Sequence, residues 1–271
     1  MTWTRLRCGL FRDAPTYAIA LRNLLIGGNL ASLSLLAKPR LMVFYASENL
    51  FSLRLMTNHR SLPQKHIFEV FPQVERSEIL LYNHGSYGNW FNAMPSYIAD
   101  IIGLAMLCRA IQPKTIFEIG TLTGYTATHM AMNSAPDCQV YTLDLPPGSN
   151  ASLPVTMQDV AHVELHEQRP YFWDGIATEK VKALWGDSAT FDYSPFHGAV
   201  DLFFIDGAHS YEYVRSDTLN ALKCCHPGSV IAWHDFGRAG VNGVSRWLHE
   251  FSKKHAVYSI PGGSLAFSAP L

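Results

Sequence analysis

The chain has 271 residues, 21 basic and 22 acidic side chains, a formal net charge of −1 and 48% hydrophobic residues. Only 16% of its residues are charged, against roughly 25% in an average soluble domain. This composition excludes a disordered or low-complexity chain and a nucleic-acid binder that acts through overall positive charge, and it supplies enough apolar residues for a large core. The five cysteines have no C-x-x-C or metal-ligand spacing, so we interpret them as reduced thiols of a cytoplasmic protein.

The charge is unevenly distributed along the chain. Residues 1–104 carry ten basic and six acidic side chains, whereas the remainder carries 11 basic and 16 acidic ones. Apolar residues from Leu24 to Ala37 recur at roughly helical spacing, and Lys38 ends this run well short of the ~20 residues of a membrane span. We expect an amphipathic helix that packs on the body of the protein or on a second subunit of a homo-oligomer, with contact to a membrane surface as the alternative.

The chain divides into a helical N-terminal extension, residues 1–96, and a second domain, residues 97–271. Within the extension, residues 82–90 (YNHGSYGNW) have the composition of a loop, and loops of this kind often line ligand sites. Residues 97–111 are almost entirely apolar, which predicts a buried helix that leads into the first strand of the second domain.

A strand, a glycine turn and a helix follow from Thr115 in the segment TIFEIGTLTGYTATHMAM. Gly120 and Gly124 let the backbone approach a ligand closely, and the helix that follows presents unpaired N–H groups to it. The next strand, residues 139–143, ends at Asp144, whose carboxylate can accept hydrogen bonds from both hydroxyls of a ribose. The two segments together predict a site for a molecule that contains adenosine.

The turn distinguishes between adenosine cofactors. A dinucleotide site has the pattern G-x-G-x-x-G, whose middle glycine leaves room for a pyrophosphate, and the turn from Gly120 to Gly124 has no such glycine. Glu118, at the end of the first strand, repels phosphate and suits an ammonium group. S-adenosylmethionine has no phosphate and carries an amino group and a sulfonium, so it fits this turn better than a nicotinamide dinucleotide.

These motifs resemble those of a known family. FEIGTLTGYTA, with VYTLD downstream, is similar to the first two motifs of class I S-adenosylmethionine-dependent methyltransferases, and the GYT form is closest to the catechol O-methyltransferase-like and macrolide-sugar O-methyltransferase-like branches. The resemblance covers about residues 97–271. It implies an α/β fold of Rossmann-like type, in which a mainly parallel seven-stranded sheet is flanked by helices and preceded by the α-helical N-terminal extension.

The resemblance also implies which residues surround S-adenosylmethionine. Glu118, Gly120 and Gly124 would lie around its methionine part, Thr126 would bind its carboxylate and Asp144 its ribose. For Asp187 and Ser188, which follow the third strand, an ordinary Asx turn is an equal alternative to contact with adenine. The full predicted set of cofactor-binding residues is Glu118, Gly120, Thr121, Gly124, Tyr125, Thr126, Asp144, Asp187, Ser188 and Asp206.

Titratable side chains lie at the ends of two later strands. The apolar run 202–205 ends at Asp206, with His209 three residues further on, and the run 230–233 ends at His234 and Asp235. Because ligands of open α/β sheets bind at the carboxyl ends of the strands, we expect these four side chains to lie together at a site. Carboxylates with an imidazole can hold Mg²⁺ or Mn²⁺.

The resemblance assigns roles to these residues. In its metal-dependent branches the aspartate at the position of Asp206 is a metal ligand, and the residue three positions later, here His209, is the general base. Those branches have Asp-Asn or Glu-Asp at the second strand end, where this chain has His234 and Asp235. We predict Asp206, His234 and Asp235 as ligands of a divalent metal, with a His234 that only forms hydrogen bonds, in the absence of a metal, as the alternative.

The sequence therefore predicts an S-adenosylmethionine-dependent O-methyltransferase that acts on a hydroxyl of a small molecule such as a sugar, a phenol or another natural product. The alternatives are an NAD(P)-dependent oxidoreductase on a similar sheet and a non-catalytic module that binds S-adenosylmethionine. The stretch between Asp144 and Asp187 is longer than one crossover helix needs, so we expect residues 145–180 to contain an insertion near the site.

Overall fold

A computed structural model describes residues 62–81, 95–156, 159, 179–238 and 241–271. Its helices are α1 (Ile67–Val70), α2 (Pro95–Ile111), α3 (Tyr125–Asn133), α4 (Tyr211–Cys224) and α5 (Asn242–Phe251). Its strands are β1 (Thr115–Ile119), β2 (Gln139–Asp144), β3 (Val181–Trp185), β4 (Val200–Ile205), β5 (Cys225–Trp233), β6 (Val257–Ser259) and β7 (Ala266–Ser268). Among these helices, none is both long and apolar enough to cross a membrane.

The strands form one sheet in the order β3-β2-β1-β4-β5-β7-β6. The first five are parallel, and β7 runs antiparallel to both β5 and β6. From β1 the chain first moves outward to β3 and then returns to β4 on the other side of β1, so the strand order reverses between β1 and β4. Open α/β sheets bind ligands in the crevice at such a reversal. The predicted seven-stranded, mainly parallel sheet is confirmed.

Two apolar cores cover the two faces of the sheet. On one face, Ile116 and neighbouring strand residues pack with Leu104 of α2 and Met130 of α3. On the other, Phe117 and its neighbours pack with residues of α4 and α5. Alternate residues of the central strands are thus buried on opposite faces, which is why β4 and β5 have the continuous apolar runs that predicted them.

A single hydroxyl group links α4, α5 and β5 in the second core. The side-chain oxygen of Thr218 accepts hydrogen bonds from the indole nitrogens of Trp233, at 3.0 Å, and Trp247, at 2.9 Å. All three residues are buried. Thr218 therefore satisfies two indole N–H groups that have no access to water.

Several predicted features of the N-terminal region lie outside the described residues. The predicted helix at 24–37, the loop 82–90, Cys8 and most of the predicted insertion 145–180 lie outside the described residues, and the division after residue 96 stays a prediction. Residues 63–65 run along the end of β6, where Ser259 donates to the carbonyl of Pro63 at 3.1 Å and Lys65 donates to that of Ser259 at 3.0 Å. The four described cysteines are buried and free.

Candidate functional site

The glycine turn after β1 lies directly against the end of β4. Gly120 has a φ of 98°, and a Cβ atom there would lie 2.1 Å from the carbonyl oxygen of Asp206. Gly124, with a φ of 73°, precedes α3 as its N-terminal cap. Tyr125 and Thr126, in the first turn of α3, are buried. The structure thus brings these predicted cofactor-binding residues to the crevice between β1 and β4, and the two turn glycines are required by their backbone conformation.

Glu118 is fully buried at the end of β1. Its Oε2 atom accepts a hydrogen bond of 2.5 Å from Thr142, whose hydroxyl is 2.6 Å from that of Thr121. Its Oε1 atom has no hydrogen-bond partner in the described part of the chain. Burial, with added repulsion from Asp206 and Asp144, raises the pKa of Glu118 well above its usual value. A cationic group at Oε1 would satisfy this oxygen and stabilise its charge.

Asp144 closes the end of β2 against the glycine turn. One of its carboxylate oxygens accepts a hydrogen bond of 2.8 Å from the backbone N–H of Leu122, and the other accepts one of 2.8 Å from that of Leu145. The side chain is half-buried. A contact with ribose stays a prediction.

Asp187 lies just after β3, and its carboxylate accepts hydrogen bonds from several neighbouring groups. Its carboxylate accepts backbone hydrogen bonds from Ser152, at 2.6 Å, and Ala189, at 2.9 Å, and one of 2.9 Å from the hydroxyl of Tyr213. Burial alone would raise the pKa of Asp187, but the hydrogen bonds from Ser152 and the other donors lower it. The bond to Ala189 is that of an Asx turn, one of the two predicted readings. Ser188 is buried beside it, and the adenine contact stays a prediction.

The strand-end residues come together as the sequence predicts. Asp206, His209 and Asp235 each offer one ligand atom, and these three atoms lie within 4.8 Å of one another. The Nε2 atom of His209 is 2.5 Å from the Oδ2 atom of Asp235, and its Nδ1 atom forms a hydrogen bond with Asp159. Arg238 forms an ion pair with the other oxygen of Asp235. This cluster can hold a divalent cation or exchange a proton with a bound hydroxyl.

His234 is oriented differently from the predicted ligand. Its Nδ1 atom is 3.0 Å from a carboxylate oxygen of Asp206 and 3.3 Å from one of Asp235, and its Nε2 atom is 3.1 Å from one of Asp100. Burial alone would lower the pKa of His234, but the attraction of Asp206 and Asp235 raises it well above its usual value. A ring that faces carboxylates on both sides acts as a double donor. His209, not His234, therefore completes the three-ligand cluster, while metal binding by His234 stays a prediction.

His209 is likewise held between two carboxylates. Burial alone would lower the pKa of His209, but the hydrogen bonds with Asp159 and Asp235 raise it to about 10. The ring is therefore protonated at neutral pH while both partners face it. Its Nε2 atom could accept a proton only after another cation has paired with Asp235 and the ring has lost its Nε2 proton. The role of His209 as general base stays a prediction.

Three residues of this site are missing from the sequence interpretation. Asp100, on α2, accepts hydrogen bonds from the backbone and hydroxyl of Ser264, at 2.6 and 2.7 Å. It is one of two charges in an otherwise apolar helix, and that signal could have marked it as part of a buried polar network. Nothing in the local sequence pattern around Asp159 or Arg238 distinguishes these two residues from other charged side chains.

Residues 117–236 match the family model described as a methyltransferase domain. This range extends from β1 to the end of β5 and contains every predicted cofactor-binding, catalytic and metal-binding residue. The match confirms, for this segment, the resemblance to methyltransferases that the motifs indicated. A search of curated protein sequences finds no match.

The chain is also similar to solved structures of O-methyltransferases. One is TomG from Streptomyces achromogenes, involved in tomaymycin synthesis and in complex with S-adenosylmethionine (20% identity over 70% of this chain and 92% of that chain, TM-score 0.46). Another is an O-methyltransferase from Bacillus cereus in complex with S-adenosylhomocysteine (18% identity over 74% of this chain and 97% of that chain, TM-score 0.44). A third is a putative caffeoyl-CoA O-methyltransferase from Staphylococcus aureus (18% identity over 82% of this chain and 100% of that chain, TM-score 0.44).

Proposed function

We propose that the chain is an S-adenosylmethionine-dependent O-methyltransferase that acts on a hydroxyl group of a small molecule. The observation that carries this proposal is the unpartnered Oε1 atom of Glu118, a fully buried carboxylate beside a glycine turn within a methyltransferase-domain match. The amino group of S-adenosylmethionine is a cation of the kind this oxygen requires.

The same residues disfavour a dinucleotide. A pyrophosphate at the turn would face the carboxylates of Glu118, Asp206 and Asp144, and the last two already raise the pKa of Glu118 by repulsion. Like charges placed together in a buried site are destabilising. These carboxylates therefore disfavour the phosphates of NAD(P), which argues against the oxidoreductase alternative. S-adenosylmethionine is positively charged at its amino and sulfonium groups, so its charge is opposite to that of the site.

Transfer of the methyl group requires an acceptor that is positioned and deprotonated. S-adenosylmethionine supplies an electrophilic methyl group, and no covalent intermediate with the protein is needed. We assign the proton to the Nε2 atom of His209, because it lies in the cluster at the end of β4, next to the turn that would bind the cofactor. The ring must first lose its own Nε2 proton to solvent, as it would when another cation pairs with Asp235. General bases of this kind contribute about 10²- to 10⁴-fold to a reaction rate.

A divalent metal fits the donor set of this cluster. Asp206, Asp235 and His209 would hold it, since two carboxylates and an imidazole suit Mg²⁺ or, better, Mn²⁺. Such an ion lowers the pKa of a bound hydroxyl. If His209 binds the metal, the acceptor proton goes to solvent or to another base, so metal binding and general-base action by His209 are separate hypotheses.

Calorimetry with S-adenosylhomocysteine and with NAD⁺, followed by transfer of radiolabelled methyl groups to a panel of phenols and sugars, tests the proposal. We expect binding of the first ligand alone, and transfer to at least one acceptor that falls about 10²-fold or more in His209→Gln. Binding of NAD⁺ without S-adenosylhomocysteine would overturn the proposal in favour of an oxidoreductase. Binding without transfer to any acceptor would favour the non-catalytic module. Repeating the assay with EDTA and with added Mn²⁺ tests the metal.

The remaining expectations on the biology of the protein stay predictions. These are a cytoplasmic location, assembly as a homo-oligomer, a small-molecule acceptor as the partner and no binding to nucleic acid.

A further inference from the structure

Residues 151–156 and Asp159 are joined by hydrogen bonds to the segments that carry the site. The backbone N–H of Ser152 donates a hydrogen bond of 2.6 Å to Asp187, after β3, and that of Leu153 donates one of 3.3 Å to the hydroxyl of Tyr213 on α4. The third attachment is Asp159, which contacts His209 after β4. These residues are thus connected to the segments that follow β3 and β4 and to helix α4.

The carboxylate of Asp159 is held on both of its oxygens. Oδ1 accepts hydrogen bonds from the Nδ1 atom and from the backbone N–H of His209, the latter at 3.2 Å. Oδ2 accepts one of 2.6 Å from the backbone N–H of Thr156, whose hydroxyl in turn accepts one of 3.3 Å from the backbone N–H of Asp159. The residue is 7% exposed. Its carboxylate therefore cannot rotate away from His209 without breaking several hydrogen bonds.

The chemistry of an ionised carboxylate determines where the proton of His209 lies. Such a group only accepts hydrogen bonds, so the nitrogen that faces Asp159 must carry a proton, and that nitrogen is Nδ1. The Nε2 atom is then the ring nitrogen that faces Asp235. Proton acceptance and metal binding both need a lone pair on a ring nitrogen. Because Asp159 holds the proton on Nδ1, only Nε2 can provide that lone pair, once it has lost the proton that faces Asp235.

Asp235 cannot perform this orienting task alone. Its carboxylate is shared among His209, His234 and Arg238, and it is itself one of the three candidate ligands. The bond from Nδ1 to Asp159 uses a different ring nitrogen from the contact with Asp235. A cation or an acceptor could therefore replace the contact with Asp235 without displacing Asp159.

We propose that Asp159 is a positioning residue of this site, which fixes the ring of His209 with its Nδ1 proton on the Asp159 carboxylate and its Nε2 atom toward Asp235. The consequence for activity rests on the proposed function, but the orientation of the ring does not. The expected insertion between β2 and β3 then supplies part of the catalytic apparatus and does more than cover the acceptor.

Histidine-ring NMR of the full-length chain without ligand tests this orientation. We compare the parent with Asp159→Asn, and identify the resonances of His209 from their loss in His209→Gln. The matched control is Asp192→Asn, because Asp192 is an exposed acid that accepts a local hydrogen bond of 3.0 Å from the backbone of Ser194. A low-field proton resonance on Nδ1 is expected in the parent and the control and is expected to be lost or moved upfield in Asp159→Asn.

Two functional readouts accompany the spectra. The affinity for S-adenosylhomocysteine of Asp159→Asn should stay within about twofold of the parent, since Asp159 does not line the glycine turn. With a transferred methyl group as the readout, kcat should fall about 10- to 100-fold while KM for S-adenosylmethionine changes little, and Asp159→Glu should restore part of the loss.

An unchanged Nδ1 resonance in Asp159→Asn would overturn the proposal. If that variant does not fold, Asp159→Glu decides, because it keeps the charge and moves the carboxylate by one methylene: a shifted resonance supports the proposal and an unshifted one overturns it. The spectra need neither cofactor nor acceptor. A chain that fails to bind S-adenosylhomocysteine would therefore disprove the proposed function and leave the result on Asp159 standing.

Discussion

Replacing Glu118 by glutamine should stabilise the free protein and weaken its binding of S-adenosylhomocysteine. The pKa of this buried carboxyl group is raised above its usual value of 4.5, chiefly by burial. An acid with a raised pKa lowers the free energy of unfolding as the pH rises from the unfolded pKa to the folded one. Glutamine has nearly the same shape and no charge. The variant should therefore lack this pH-dependent loss, and its advantage over the parent should appear only above about pH 4.5.

The loss of affinity follows from the contact that Oε1 is expected to make. A hydrogen bond to a charged group contributes about 1.5 to 3 kcal/mol. Because about 1.4 kcal/mol corresponds to a tenfold change in Kd, the variant should bind S-adenosylhomocysteine roughly 10- to 150-fold more weakly. The two effects of the substitution thus have opposite signs, which a general disturbance of the fold would not produce.

Isothermal titration calorimetry measures the affinity, and urea unfolding at pH 5 and pH 8 measures the stability. Glu212→Gln is the control, since Glu212 is exposed on α4 and should change neither quantity. An affinity equal to that of the parent would refute the contact between Glu118 and the amino group. A variant that is less stable than the parent at pH 8 would show that the buried carboxylate has a partner that the described residues do not reveal.

Three further substitutions test the fold around the site, each by urea unfolding. Gly120→Ala should lower the free energy of unfolding by at least about 2 kcal/mol, because the added Cβ would clash with the carbonyl of Asp206 and the residue has a positive φ. Wild-type stability of this variant would disprove the close approach. Thr218→Val should cost roughly 2 to 6 kcal/mol by leaving two indole N–H groups unsatisfied, with unchanged affinity for S-adenosylhomocysteine. Burial raises the pKa of Asp217 from 3.8 to about 7, so its charge destabilises the folded state at high pH. The free energy of unfolding of Asp217→Asn should therefore exceed that of the parent by up to roughly 4 kcal/mol at pH 8 and by almost nothing at pH 4. An equal effect at both pH values would contradict the assignment.

Much of the crevice could be predicted from the sequence because its features are local. The glycine turn needs backbone conformations that only its own residues supply, and each strand that borders it ends at an acid within the same short segment. That Asp206 and Asp235 meet follows from a general property of parallel sheets, whose strands all point their carboxyl ends to one edge. Residues 117–119 and 201–205 are apolar on both faces apart from two acids, which was sufficient to predict buried central strands.

The partners of the two histidines could not be predicted, because they depend on how distant segments pack. Asp159 lies 50 residues before His209, and Asp100 lies 134 residues before His234. The sequence by itself determined which residues stand at the strand ends and hence which chemistry is present. Only the tertiary structure decided that His209 lies between Asp159 and Asp235. It also decided that His234 faces Asp206 and Asp235 with one nitrogen and Asp100 with the other. The physical reason is that a buried imidazole takes the orientation that satisfies both of its nitrogens, and the acceptors come from elements that the local sequence does not specify.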